Sequence, residues 1–177
     1  MAKAGDVLEN PVTGERTVFR KTAADTNGEA LEYELTFVPR GFVAQEHLHP
    51  GQSERHEVLA GRLGIVVDGR ERELGPGDVE VVPPKTPHRL VQLSDEPVHA
   101  LFELRPALRT EQLLETFFRL AAGGKVNAKG MPGLLTLATI AREYEPEGYA
   151  TKPPLAVQRA LLGPLAAVAR LRRRRRA

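Results

Sequence analysis

Cysteine is absent from these 177 residues. That excludes thiolate nucleophiles, cysteine-bearing zinc sites and disulfides together, and it fits a reducing compartment. Tryptophan is absent too, and Phe and Tyr are so few that any pocket is expected to be lined mainly by aliphatic and polar groups. No apolar run is long enough to span a bilayer, and the stretch from Met1 to Pro11 lacks the hydrophobic core of a signal peptide. The expectation is a soluble cytoplasmic protein. A phosphate-cradling glycine loop, a nucleophile elbow and an internal repeat are also missing.

Basic charge is unevenly spread. Arg170 and Arg172 to Arg176 supply six of the 25 basic residues, and without them 19 face 23 acidic ones. The body is therefore mildly acidic, which argues against a specific nucleic-acid footprint over the whole chain.

What the chain does have is a rhythm of short strands. Leu31, Tyr33, Leu35 and Phe37 alternate with Glu32, Glu34 and Thr36, the period of a half-buried strand. Asp68-Gly69 marks a hairpin, Gly75-Pro76-Gly77-Asp78 a second turn, and Val79 to Val82 a further strand. Such spacing predicts an antiparallel sandwich or barrel over residues 1–105. After Pro106 the period becomes helical. One helix is expected from an N-cap at Thr110 to a stop at Gly123-Gly124 and a second over Leu134 to Tyr144. A third should run from Leu155 to Arg172, interrupted at Gly163-Pro164. Residues 106–177 thus read as a helical extension ending in an arginine-rich tail.

Chemistry concentrates in two segments. His47, His49 and Glu54 share one short stretch, and His88 closes another. Two histidines two residues apart on a strand emerge on one face, Pro50-Gly51 turns the chain, and Glu54 can return to the same interior. Imidazoles with a carboxylate suit divalent Fe, Mn, Zn, Ni or Cu. His56 shares the inward face of Glu54 and is a candidate catalytic residue, as a proton shuttle or a donor behind the ligands. The structural alternative, a hydrogen-bonded core histidine, is slightly favoured. Gln92, four residues past His88, is the other catalytic candidate and could orient a substrate. Lys85 and Arg89 near the mouth read as solvated surface, and His99 has no spacing relation to the group.

The two segments resemble the paired motifs of the cupin superfamily. Gly41, His47, His49, Glu54 and Gly61 fill every fixed position of the first, and Gly77, Pro83 and His88 fit the second. Lys85 replaces its glycine and Gln92 its asparagine. Within that superfamily the chain resembles small single-domain bacterial cupins with a helical C-terminal extension. The resemblance implies a mainly β double-stranded β-helix, or jelly roll, with C-terminal α-helices. It also implies one divalent transition metal held by His47, His49, Glu54 and His88, at net charge +1 with open positions. A metal-dependent enzyme of oxygenase or isomerase type acting on a small organic molecule is one reading. A noncatalytic module that binds or senses a small ligand or metal is the alternative. A homodimer is expected, as in many small cupins. The arginine tail is expected to end a packed terminal helix, with an anionic membrane surface as a weaker possibility.

Overall fold

Alternation of inward apolar and outward polar side chains sets the architecture. The structure is a computed structural model that describes residues 2–38, 45–93 and 95–174, with side chains as far as Leu171. Gly41, Arg175 and Arg176 lie outside the described residues. Among the described residues, eleven strands form two antiparallel sheets. The first contains β1 (Val7–Glu9), β2 (Arg16–Lys21), β3 (Leu31–Phe37), β10 (Val98–Arg105), β5 (Ser53–Ala60) and β8 (Val79–Val82), in that spatial order. The second runs β11 (Tyr149–Ala150), β4 (His47–Leu48), β9 (His88–Gln92), β6 (Leu63–Val67) and β7 (Arg70–Leu74). Such non-sequential strand order is what a jelly roll requires: the chain crosses between sheets instead of meandering within one. The expected mainly β jelly roll with C-terminal helices is therefore the observed fold.

Register follows the pattern. Leu31, Tyr33 and Phe37 are buried on β3, and Val98, Ala100, Phe102 and Leu104 on the adjacent β10. Phe102 pairs with Tyr33 across the strands, and their rings stack with centroids 5.2 Å apart. Stacking of this kind adds roughly 0.5–1.5 kcal/mol beyond the buried area. The few rings are gathered on neighbouring strands, because inward positions of β3 and β10 fall opposite each other. At the hairpin between β6 and β7, Asp68 and Gly69 both take positive φ, 49° and 76°, as a two-residue hairpin turn demands.

The helices are α1 (Thr110–Ala122), α2 (Leu134–Glu143) and α3 (Leu155–Arg174). Two expectations are corrected. Thr110 is not the N-cap: Arg109 holds that position, and no side chain caps the helix. The hydroxyl of Thr110 is buried and accepts from Gln52 Nε2 at 3.0 Å. The same amide donates to the carbonyls of Pro106 and Ala107, so Gln52 fastens the start of α1 to the barrel. Nor is α3 interrupted at Gly163-Pro164; it continues through Pro164. Proline removes one intrahelical donor, and packing of α3 along α2 keeps the turns on either side in line.

Candidate metal centre

Both sheets contribute to the site. His47 on β4 lies directly opposite His88 on β9, so these two imidazoles leave the second sheet side by side. Their ring centroids are 4.4 Å apart, and His49 completes a triangle at 5.1 Å from His47 and 5.3 Å from His88. Glu54 arrives from β5 of the first sheet, on the inward face that also carries His56 and Val58. The four side chains offer ligand atoms all within 4.8 Å of one another, a group that could hold one metal ion. Ligand bonds of about 2.0–2.2 Å join donors up to roughly twice that length apart. A small inward shift would therefore close the group on an ion.

Hydrogen bonds fix which nitrogen faces the centre. The Nδ1 of His47 donates to the carbonyl of Gln45 at 2.9 Å, that of His88 to the carbonyl of Thr86 at 3.0 Å, and that of His49 to the carbonyl of Glu147. A carbonyl can only accept, so each Nδ1 carries the proton and each Nε2 turns toward the middle. There Glu54 Oε2 stands 2.8 Å from Nε2 of His88 and 3.2 Å from Nε2 of His49. A lone pair facing a carboxylate is repulsive. Each of these contacts requires a proton on Nε2 or a cation among the three atoms, and a divalent ion fits the donor set without charging either ring.

Electrostatics agree with that arrangement. Burial alone would push the Glu54 carboxyl up, yet the charge of His56 and hydrogen bonds from His49, His56 and His88 outweigh it and hold it well below 4.5. Glu54 is thus a carboxylate at neutral pH. Burial, with His88 and His49 adding to it, lowers His47 to about 4, so its ring is neutral and its lone pair available. Burial also opposes charge on His49, but the bonds to Glu54 and Glu147 prevail and raise it. The Tyr33 hydroxyl is pushed well above 10 by burial and by the Glu54 charge.

His56 is buried beside the group. Its Nε2 lies 3.5 Å from Glu54 Oε2, its ring meets Phe102 edge-on at 4.9 Å, and its Nδ1 has no hydrogen-bond partner among the described residues. Gln92 is not brought to the centre. It stands at the other end of β9, about 13 Å from His88 at the rise of an extended strand, and its amide nitrogen is buried without a partner among the described residues. Lys85 is exposed and Arg89 half-buried, while His99 pairs with Glu34 at 2.9 Å, away from the centre.

Sequence reasoning missed the contribution of residues 144–151. Tyr149 and Ala150 form β11 and pair with Leu48 and His47 of β4, and Thr151 N donates to the Glu46 carbonyl at 3.1 Å. Glu147 gives its carbonyl to His49, while its carboxylate accepts the backbone amide of Arg109 at 3.2 Å and pairs with its guanidinium at 3.3 Å. That guanidinium lies over the Tyr144 ring, 4.8 Å from its centroid. A strap from the helical extension thus covers the free edge of β4 and holds His49. No spacing signal joins His49 to a carbonyl so far along the chain.

Comparison with known proteins agrees with this geometry. Residues 33–102 match the family model of the Cupin domain. An uncharacterised protein of Methanocaldococcus jannaschii is 33% identical over 98 residues, which cover 54% of this chain and 78% of that protein. The chain belongs to the cupin superfamily. Among solved cupins, an RmlC-like cupin from Shewanella frigidimarina aligns with a TM-score of 0.51 at 22% identity, covering 60% of this chain and 88% of the other. A protein of Thermotoga maritima described as a predicted oxalate decarboxylase also aligns with a TM-score of 0.51. It is 16% identical and covers 60% of this cupin and 99% of its own chain. At those identities the likeness is one of fold. The matched family region contains His47, His49, Glu54 and His88, whereas the strap that touches His49 lies beyond it.

Proposed function

We propose that this cupin binds one divalent transition metal through His47, His49, Glu54 and His88. We further propose that it acts as an enzyme of oxygenase or isomerase type on a small organic molecule. The observation that carries the reading is the pair of Nε2 atoms aimed at a buried carboxylate, their Nδ1 protons already committed to backbone carbonyls. Fe, Mn, Zn, Ni and Cu all suit three imidazoles and a carboxylate. When bound, such an ion would supply a Lewis acid with positions open to a small molecule.

The chain's own residues would supply the rest. Glu54 is the single anionic donor and leaves the loaded site at +1. His56 Nε2, 3.5 Å from Glu54 Oε2, is the ring nitrogen that faces the centre and the one through which His56 would exchange a proton with a bound molecule; its Nδ1 has no partner among the described residues. Phe102 and Tyr33 wall that side with apolar surface and exclude water. A cytoplasmic setting is part of the proposal, since a chain without cysteine suits a reducing compartment.

Elemental analysis of protein purified without added metal tests the first half. Near one equivalent of a transition metal is expected, falling at least tenfold in His49→Ala and His88→Ala while the β circular-dichroism signal is kept. Full occupancy in both variants would overturn the ligand assignment. A dioxygen-uptake and substrate screen on the loaded protein tests the second half. Metal-dependent consumption is expected and should be impaired in metal-replete Glu54→Gln. Complete occupancy with no consumption of any compound would make the protein a noncatalytic metal or ligand-binding module.

A further inference from the structure

The third helix, α3, packs one side on α2 and leaves the other uncovered. Val157, Leu161, Val168 and Leu171 are 44%, 59%, 41% and 59% exposed, and Pro164 and Ala167 are exposed between them. At 100° per residue these six fall within a sector of about 120°, and they run along roughly 20 Å of helix. Isolated exposed leucines are ordinary, but a continuous apolar stripe on a helix surface is not.

Charge says what covers it. The last acidic residue of the chain is Glu147. Residues 148–177 hold eight of the 25 basic groups and none of the 23 acidic ones, which leaves 17 basic against 23 acidic in residues 1–147. Of the eight, Arg159 is partnered by Glu145 at 2.6 Å. The stripe therefore runs directly into a block of arginines on a molecule whose remainder is negative. Two copies of α3 laid together would meet no countercharge in either direction, because neither end of the segment carries an acid. A nucleic acid would supply the countercharge but has no use for the stripe. An anionic bilayer surface matches both, taking the apolar face below the headgroups while lipid phosphates meet the arginines.

We propose that α3 with its arginine tail docks this protein on an anionic lipid surface. The helix lies in the plane of the interface; no helix among the described residues is long and apolar enough to cross a membrane. This surface is separate from the metal centre, so the proposal holds or fails independently of the enzymatic reading.

The test is flotation of the full-length protein with vesicles of phosphatidylcholine alone and of phosphatidylcholine with phosphatidylglycerol. Binding is expected only to the anionic vesicles and should weaken steeply as salt is raised. A chain ending at Ala169 should lose at least about a hundredfold in partitioning. The double variant Leu161→Gln/Val168→Gln, which keeps every charge, should lose at least about tenfold. Unchanged metal content in both variants, with helix content unchanged in the glutamine variant and lowered only by the deleted end of α3 in the shortened chain, shows that each has folded. Three results would each overturn the proposal. One is no preference for anionic vesicles. Another is parental binding by the glutamine variant, which would leave charge alone at work. The third is a dimer of the full-length protein that the glutamine variant dissociates, without vesicle binding, which would make the stripe a contact between two copies.

Discussion

Two turn positions show how backbone geometry governs a single residue. Gly61, between β5 and β6, has φ +81°, and a Cβ built there would lie 2.8 Å from the Pro97 carbonyl oxygen. Gly61→Ala combines left-handed strain with a clash against backbone that cannot yield, and should lower stability by more than about 2 kcal/mol in urea unfolding. Lys85 presents the opposite case. It occupies the glycine position of the second motif with φ 65° and donates its amide to the His49 carbonyl at 2.8 Å. Here a side chain tolerates the conformation because it points to solvent. Lys85→Gly should keep the turn and the metal site and change stability by no more than about 1 kcal/mol, as relieved strain is offset by a freer unfolded chain.

Protonation belongs to the same scale. A metal competes with protons for Nε2, so a ring whose proton affinity is raised yields first on acidification. His49 is raised from 6.5 and His47 lowered to about 4. Metal affinity should therefore begin to fall as pH drops from neutral through 6.5, with His47 adding to the loss only near 4. Titration calorimetry with Zn²⁺ across this range checks the sign; affinity that rises on acidification would contradict it.

Among the elements, the strap of residues 144–151 links the helical extension to the site. Its hold rests on β11 against β4, on Arg109 with Glu147, and on the close approach of Gly148, where a Cβ would stand 3.2 Å from His49 Nδ1 and 3.3 Å from the Leu48 carbonyl. Supports behind metal ligands commonly matter by about 10–100-fold in affinity. Gly148→Val should displace His49 and weaken metal binding by about tenfold or more, with the unfolding midpoint of the barrel little changed. Arg109→Ala, which frees the Glu147 carboxylate without touching any ligand, should weaken it less. Metal affinity equal to the parent's in both variants would show that His49 needs no support from the extension. The α1 start teaches a related lesson. Thr110 has the residue type of an N-cap, but Gln52 offered its hydroxyl a buried donor, and tertiary contact outweighed local preference.

At the scale of the whole molecule, charge and site are segregated. The metal-binding group lies between the two sheets, while the arginines follow the far end of α3. Ending the chain at Ala169 should therefore leave metal content unaltered and lower the helical circular-dichroism signal only by the deleted end of α3, even where it abolishes contact with lipid. Loss of metal from that shortened chain would show that residues 170–177 support the site, since Gln158, whose amide donates to the Ala150 carbonyl at 2.7 Å, is kept in it.

The sequence by itself determined the strand rhythm, the hairpin at Asp68-Gly69, the helical period after Pro106 and the grouping of His47, His49, Glu54 and His88. These are legible because alternation, turn chemistry and ligand spacing are local, and they persist whatever surrounds them. Only the tertiary structure decided that Gln92 stands away from the centre while His56 stands beside it. Position along a strand gives direction but not depth. It alone decided that α3 continues through Pro164, that its outer face is bare, and that the Glu147 carbonyl holds His49. Those features rest on contacts between segments distant in the chain, where each partner is chosen by what packing brings near and not by any pattern in its own neighbourhood.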